Sequence, residues 1–257
     1  MIRTRISLLP ALLLSTALAV TSCGSDGDAA EGEQSPRAGS DRLIAAAEAG
    51  MERASTFGFD SAGFYTEAAV EEFREQMEGS LADGEADVEV DPASCEAPLA
   101  AVDWAPLLLG SDAARVDFGS ETFTGTGSIE IAEIDGDDGE AVARVQEHMD
   151  HVRSLVESCP QVQLTQLDAD YVLEFSDVEL ETLRPADGDG DGTVGYARTR
   201  SLAGSEEDGM IGAQILFTRA GDDVVMVSFI GEPAAAQEEF TAMAEAVAAA
   251  TTEALAD

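Results

Sequence analysis

A run of strand-like segments in the second half of the chain constrains its fold most strongly. Each segment is short and rich in β-branched or aromatic residues, and polar or glycine-containing turns separate the segments. They cover residues 162–167, 171–180, 193–200, 211–218 and 224–230. Ala220-Gly221-Asp222-Asp223 is typical of the hairpin turn between the last two. Consecutive strands joined in this way predict an antiparallel sheet.

Helical periodicity lies on both sides of this run. The clearest pattern covers residues 140–158, where apolar side chains recur every three or four positions. A second pattern covers residues 42–55, with Asp41 as its N-cap. A third covers residues 66–78 and ends at Gly79.

These elements together predict the fold class. Two more short strands fit residues 114–118 and 128–134, and Pro233 suits the first turn of a closing helix. Helices that frame a run of consecutive strands are typical of an α+β fold. We therefore predict a single α+β domain over residues 41–257, mainly an antiparallel sheet that helices cover on one face. Its N-terminal part, residues 41–80, is predicted to be helical.

The chain begins with the layout of a secretory signal. Arg3 and Arg5 precede an uncharged, mostly apolar run at residues 6–20. A membrane-spanning helix needs about 20 such residues, so the run is short for one. The sequence Val20-Thr21-Ser22-Cys23 resembles the lipobox of bacterial lipoproteins. The resemblance implies cleavage before Cys23 and attachment of fatty acyl chains, such as palmitate, to the Cys23 thiol.

This interpretation predicts where the protein resides. Residues 1–22 would be a lipoprotein signal peptide, and residues 23–40 a lipid-anchored disordered linker, since they are polar and rich in Gly and Ser. The domain would then lie on the extracytoplasmic face of the cell membrane. Two alternatives remain: a secreted protein in which Cys23 is a coincidence, and a signal anchor that is never cut.

Lipidation of Cys23 would leave one pair among the three cysteines of the chain, Cys95 and Cys159. Export places that pair in an oxidising compartment, where a disulfide forms and persists. The bridge would close a loop of 64 residues and stabilise the fold by about 4 kcal/mol. The alternative is two buried free thiols.

The charge of the chain excludes some partners. All 13 basic residues are arginine, and 52 acidic residues bring the net charge to −39. A surface this acidic repels nucleic acid and anionic lipid head groups. Stable membrane association would therefore come from the acyl chains on Cys23 rather than from a basic patch.

One acidic turn matches half of a calcium motif. Asp187, Asp189 and Asp191 alternate with glycines as at the opening of an EF-hand loop. The twelfth position of such a loop is a bidentate glutamate, but here it is Arg198, and the flanks resemble strands rather than helices. We therefore predict no metal site and no cofactor, with these three aspartates as the candidates if Ca²⁺ binds. The alternative to a calcium loop is a solvated acidic turn.

Catalytic signatures are missing from the sequence. It contains no G-x-S-x-G elbow, no catalytic Cys–His pair and no phosphate-binding glycine loop. His148 and His151 stand three residues apart on the predicted helix, a spacing that can bind zinc. Both lie beside the apolar stripe, so solvent-facing histidines are the preferred interpretation. We predict that the protein is not an enzyme.

Arg198 and Arg200 alternate along one predicted strand and so share a face with Tyr196. They could form an anion-binding patch on an otherwise acidic protein. The preferred alternative is that they neutralise neighbouring carboxylates. Trp104, the single tryptophan, stands among apolar residues and is expected in the core.

From Cys95 onward the layout resembles the PknH-like extracellular sensor domain of actinobacteria. The matching features are Cys95 ahead of Trp104, a long helix that runs into Cys159 before a strand, a final hairpin and an alanine-rich closing helix. That family occurs outside membrane-anchored Ser/Thr kinases and in stand-alone lipoproteins. The resemblance implies an α/β fold with a cleft and two disulfides, of which this chain can form one. It also implies ligand sensing.

We therefore expect a surface lipoprotein whose non-catalytic domain binds a small ligand or an envelope component. Trp104, Tyr196 and Arg198 are the candidate ligand-binding residues of a concave pocket. The alternative is a protein–protein interaction module of the cell envelope, which would present an exposed apolar patch instead.

Overall fold

A computed structural model describes residues 36–82, 88–109, 112–134, 139–166, 169–186, 191–204 and 209–256. These residues belong to one compact unit. The predicted signal peptide, Cys23 and most of the predicted linker lie outside the described residues. Within them, no helix is both long and apolar enough to cross a membrane.

The described chain contains five α-helices and nine β-strands. The helices are α1 (Asp41–Ser55), α2 (Glu67–Ala82), α3 (Glu96–Leu99), α4 (Gly139–Ser158) and α5 (Glu238–Leu255). The strands are β1 (Ser61–Phe64), β2 (Glu89–Asp91), β3 (Ala113–Ser120), β4 (Phe123–Glu133), β5 (Gln161–Gln166), β6 (Ala169–Asp177), β7 (Gly192–Leu202), β8 (Ile211–Ala220) and β9 (Asp223–Gly231). Short 3-10 turns flank α3 and precede α5.

All nine strands form one antiparallel sheet in the order β1-β3-β4-β9-β8-β7-β6-β5-β2. The predicted α+β class is confirmed. Ala220 pairs with Asp223, and Gly221 adopts φ 63° in the two-residue turn between them, so the predicted β8–β9 hairpin is confirmed as well.

The two edge strands are not predicted by the sequence pattern. β1 lies in the predicted connection between the first two helices. β2 lies between the predicted helix at residues 66–78 and Cys95, where no strand is predicted. β1 has four residues and β2 three, too few for an alternating pattern to show. Each strand is held by pairing with a longer neighbour, β3 or β5.

Helices cover both faces of the sheet, so the prediction of cover on one face is wrong. Alternate residues of β9 enter two separate cores: Val225, Val227 and Phe229 on one side, Val224 and Met226 on the other. The first core is closed by α1 and α5, and the second by α2, α4 and the segment around α3. Central strands buried on both faces explain the nearly continuous apolar run at residues 224–229.

The core under α1 and α5 is dense and aromatic. Phe59 lies 5.2 Å from the ring centroid of Phe229, and further phenylalanine rings meet edge to face around them. Gly50 of α1 lies so close to Thr251 of α5 that a Cβ atom would overlap its side chain. The two helices therefore pack at a distance that only glycine permits.

The helix boundaries follow local chemistry. The hydroxyl of Thr66 accepts a hydrogen bond from the backbone N–H of Ala69, 3.3 Å away, and caps α2. α2 continues to Ala82, past its predicted end at Gly79. Residues before α1 already contact the fold, because Ala38 is buried and its N–H donates to the carbonyl of Tyr65 at 2.9 Å.

Candidate ligand-binding cleft

A cavity of about 280 Å³ lies between the sheet and the elements that cover its α4 side. We call it the cleft. Its floor comes from β3, β4, β7, β8 and β9, and its roof from α2, α4 and residues 101–105. The three residues that the sequence analysis selects as ligand contacts, Trp104, Tyr196 and Arg198, all line this one cleft.

Strand register builds the floor. Ser128 is paired with Ser228, Ser228 with Ile215, and Ile215 with Tyr196, so one row of side chains crosses four strands. The hydroxyl oxygens of Ser128 and Ser228 lie 2.8 Å apart and are buried. Arg198 lies two residues beyond Tyr196 on the same face of β7.

The roof is built on a ring stack. The Trp104 indole lies against the His148 imidazole with centroids 4.2 Å apart and planes at 21°. Both rings meet the edge of Phe217 in the floor. Trp104 thus joins the polypeptide around α3 to helix α4, which carries His148.

The expectation that His148 faces solvent is wrong. The buried stripe of α4 is Ala141, Val145, His148, Met149, Val152 and Leu155, so the imidazole lies within it. Burial, with a smaller effect of the nearby His151, lowers the pKa of His148 to about 3. His148 is therefore neutral at physiological pH and packs as an aromatic residue.

A disulfide joins Cys95 to Cys159, in agreement with the cysteine count. Both half-cystines are buried, one just before α3 and the other directly after α4. The bridge fixes the segment that carries Trp104 to the helix that carries His148. A backbone contact adds to this, since Arg74 Nε of α2 donates to the carbonyl of Leu107 at 2.8 Å.

A chain of polar contacts occupies one side of the cleft. Arg115 donates from Nε to Asp117 and from a terminal nitrogen to Glu130 Oε1, both at 2.8 Å. The Tyr65 hydroxyl donates to the second oxygen of Asp117 at 3.1 Å. Burial raises the pKa of Glu130 to about 7, although the charge of Arg115 opposes the shift. Glu130 can therefore hold or release a proton near neutrality.

Arg198 occupies another part of the cleft wall without such contacts. Its Nε atom is buried and has no hydrogen-bond partner among the described residues. Neither Arg198 nor Arg200 forms an ion pair within the described chain, so the preferred prediction that both neutralise carboxylates is wrong. Arg200 instead stacks on the ring of Tyr171 at 4.0 Å, outside the cleft.

Buried polar atoms without partners concentrate in this cleft. Glu130, His148 and Arg198 all line it, and each has one buried polar atom (Oε2, Nδ1 and Nε, respectively) that lacks a hydrogen-bond partner in the described part of the chain. Such atoms are rare in folded proteins, because each costs about 1–3 kcal/mol when it is removed from water unpaired. The three side chains bring both donor and acceptor groups to the cleft wall.

Sequence reasoning missed most of the polar wall. Ser128, Glu130 and Arg115 occupy alternate positions on strands that were expected to face solvent on one side. With both faces of the sheet covered, a polar residue at every second position indicates a buried polar surface instead. That alternation is visible in the sequence of β4.

The described residues contain no group of three or more His, Cys, Asp or Glu side chains that could hold a metal ion. Asp187 and Asp189 lie outside the described residues. The carboxylate of Asp191 accepts the backbone N–H of Gly221 at 3.0 Å, which ties it to the β8–β9 turn. The prediction that this turn is a solvated acidic turn without a metal stays a prediction.

Fold and site together define an α+β domain with a polar cleft under a disulfide-bound roof. No protein-family model and no curated protein matches the chain. Among solved structures, it is similar to the extracellular domain of PknH from Mycobacterium tuberculosis, with 15% identity and a TM-score of 0.48. That similarity covers 87% of this chain and 99% of the PknH domain.

Proposed function

We propose that the protein is a non-catalytic lipoprotein whose extracytoplasmic domain binds a small molecule in the cleft. The observation that carries this proposal is that three side chains with an unpartnered buried polar atom, Glu130, His148 and Arg198, line one cavity. Ligand sites combine apolar walls with a few placed polar groups and have volumes of about 300–1,000 Å³. At about 280 Å³ the cleft lies just below that range, which suits a small ligand.

The cleft offers binding groups rather than a reaction centre. Ser128 and Ser228 bond to each other, and His148 is neutral with a free Nδ1, so no activated Ser–His pair forms among the described residues. Trp104, Tyr196 and Met226 supply apolar walls instead. These features support a role in ligand binding or sensing.

Native mass spectrometry of the domain purified from its host tests the binding proposal, since a retained ligand adds mass. Two exposed isoleucines on the same sheet face give a matched pair of variants. Ile230 lines the cleft and is 43% exposed, whereas Ile211 is 42% exposed and lies outside it. Ile230→Trp is expected to lose the added mass, and Ile211→Trp to keep it. Equal retention in both variants would refute the proposed site.

The anchor is a separate part of the proposal. The signal-like residues 1–22, the lipobox-like sequence at Cys23 and the excess of acidic residues support attachment to the cell membrane through acyl chains. The intact mass of the detergent-extracted protein tests it. We expect a chain that begins at Cys23 and carries diacylglycerol and acyl mass, and an unmodified Cys23 would contradict it.

An exposed apolar strip favours a second function, a protein–protein module of the cell envelope. Leu202 is 46% exposed, and strand register places it on the same face as Ile211 and Ile230. Photocrosslinkers at residues 202 and 211 in host membranes test this function, with one at exposed Ala242 on the other face as control. If residues 202 and 211 crosslink to the same protein and residue 242 does not, the result supports this function. If all three positions give the same crosslinked products, the result contradicts it.

A further inference from the structure

We propose that the ligand of the cleft is a small organic monoanion, a carboxylate on an apolar body, and that Arg198 binds its carboxylate. This inference rests on the proposed ligand-binding function and names its ligand class. It is carried by the position of Arg198 in the cleft wall and by its lack of a partner among the described residues.

Arg198 differs from three other arginines that the structure describes, each of which binds a carboxylate. Arg115 donates to two carboxylates, Arg42 is bound by Asp223 and Glu133, and Arg153 contacts Asp150. With 52 acidic residues in the chain, a carboxylate partner is easily found. Arg198 is nevertheless placed where no described acidic side chain reaches it, and its Nε is removed from water. A half-buried guanidinium whose Nε is in this state lacks the anion that would satisfy it.

The charge balance of the cleft points to a single negative charge on the ligand. The charge of Arg115 is already matched by Asp117 and Glu130. Arg198 is therefore the one guanidinium on the described cleft wall that remains to be neutralised. A second negative charge on the ligand would meet the carboxyl group of Glu130 and no further cation of the described cleft wall.

The remaining walls select the body of the ligand. Tyr196 is 2% exposed, and Ile215 and Met226 are also buried, so the floor beside Arg198 is apolar. Trp104 lines the roof above this floor, where its ring stacks on His148. An ion pair in such surroundings is stronger than one in water, because few solvent dipoles screen it. An apolar or aromatic acid satisfies both the guanidinium and these walls.

The single tryptophan gives a direct assay, because Trp104 lies in the cleft and its emission reports binding there. The probes are 4-phenylbutyrate and its neutral counterpart 4-phenylbutanol, titrated into the full-length protein in detergent. We expect the carboxylate to bind about 10- to 100-fold more tightly than the alcohol, the range of a charge-assisted hydrogen bond.

Two arginines on one strand face supply the matched variants. Arg198→Gln is expected to abolish the preference for the carboxylate, and Arg200→Gln, two residues along and stacked on Tyr171, to keep it. Arg198→Lys keeps the charge and is expected to retain part of the preference, which separates loss of charge from loss of fold.

Each other outcome overturns the inference. If the wild type binds both probes equally, the cleft binds ligands but does not select anions, and the proposed function survives alone. If the preference for the carboxylate persists in Arg198→Gln, or disappears equally in Arg200→Gln, Arg198 does not bind the carboxylate of the ligand. If neither probe changes Trp104 emission, the ligand class is wrong. The proposed function is then tested independently by native mass spectrometry, which detects a retained ligand as added mass.

Discussion

Replacing both Cys95 and Cys159 by alanine is expected to lower the free energy of unfolding by about 4 kcal/mol. The disulfide closes a loop of 64 residues, which contains α4 and residues 101–105 of the cleft roof and strands β3 and β4 of its floor. For a loop of this length the chain-entropy relation gives about −14.5 cal/mol/K, or about 4.3 kcal/mol at 298 K. In a domain of this size the loss corresponds to a Tm lower by about 8–16 °C.

Urea unfolding, followed by circular dichroism and by Trp104 emission, measures the change. A reducing agent added to the wild type is expected to reproduce it, because it opens the same loop without altering a side chain elsewhere. The reducing agent should leave the double alanine variant unchanged, which controls for other effects of the reagent. A double variant within about 1 kcal/mol of the wild type would refute the loop-closure reasoning.

Three further predictions concern single side chains. Burial raises the pKa of Glu130 from 4.5 to about 7, so the stability that its protonated form contributes is lost as pH rises. Between pH 5 and 8 the free energy of unfolding of the wild type should therefore fall by about 2 kcal/mol relative to that of Glu130→Gln. An equal pH dependence of urea unfolding in the two proteins would contradict this. Burial alone would raise the pKa of Glu245, but three backbone N–H donors at residues 181–183 hold it below its usual value. Glu245→Gln should therefore cost about 1–3 kcal/mol at pH 7, and the cost should fade in acid as the wild-type carboxylate becomes protonated; an equal loss of Tm at pH 3 and 7 would count against it. Gly50→Ala should destabilise the fold by about 1–3 kcal/mol through overlap with Thr251, whereas Gly139→Ala, with open space around its Cβ, should be nearly neutral in the same thermal assay.

Long, regular patterns were predictable from the sequence. The predicted helix at residues 140–158 differs from α4 by one residue at its start, because apolar spacing over five turns leaves little freedom in placing it. The central strands were predicted for the same reason. β1 and β2 depend on pairing with β3 and β5, residues that are distant in sequence, and no local pattern reports such pairing.

The cleft was only partly predictable. Trp104, Tyr196 and Arg198 were selected as an aromatic and cationic set, and the fold brings them to one cavity. His148 and Glu130 were missed because their burial depends on which faces of α4 and β4 are covered. The sequence pattern of a helix or strand shows which of its faces is apolar. Whether a polar side chain beside that face is buried depends on which other element packs over it in the tertiary structure.

In the strands below the cleft, whether a residue number is odd or even decides which of two cores the side chain enters. On β9, Met226 and Ser228 face the cleft, while Val225, Val227 and Phe229 pack beneath α1 and α5. Inserting one residue would exchange the two sets and place a hydroxyl among phenylalanine rings. Substitution at every second position of the floor strands can therefore give new ligand preferences. Insertions and deletions of residues, by contrast, are confined to the roof and the outer loops.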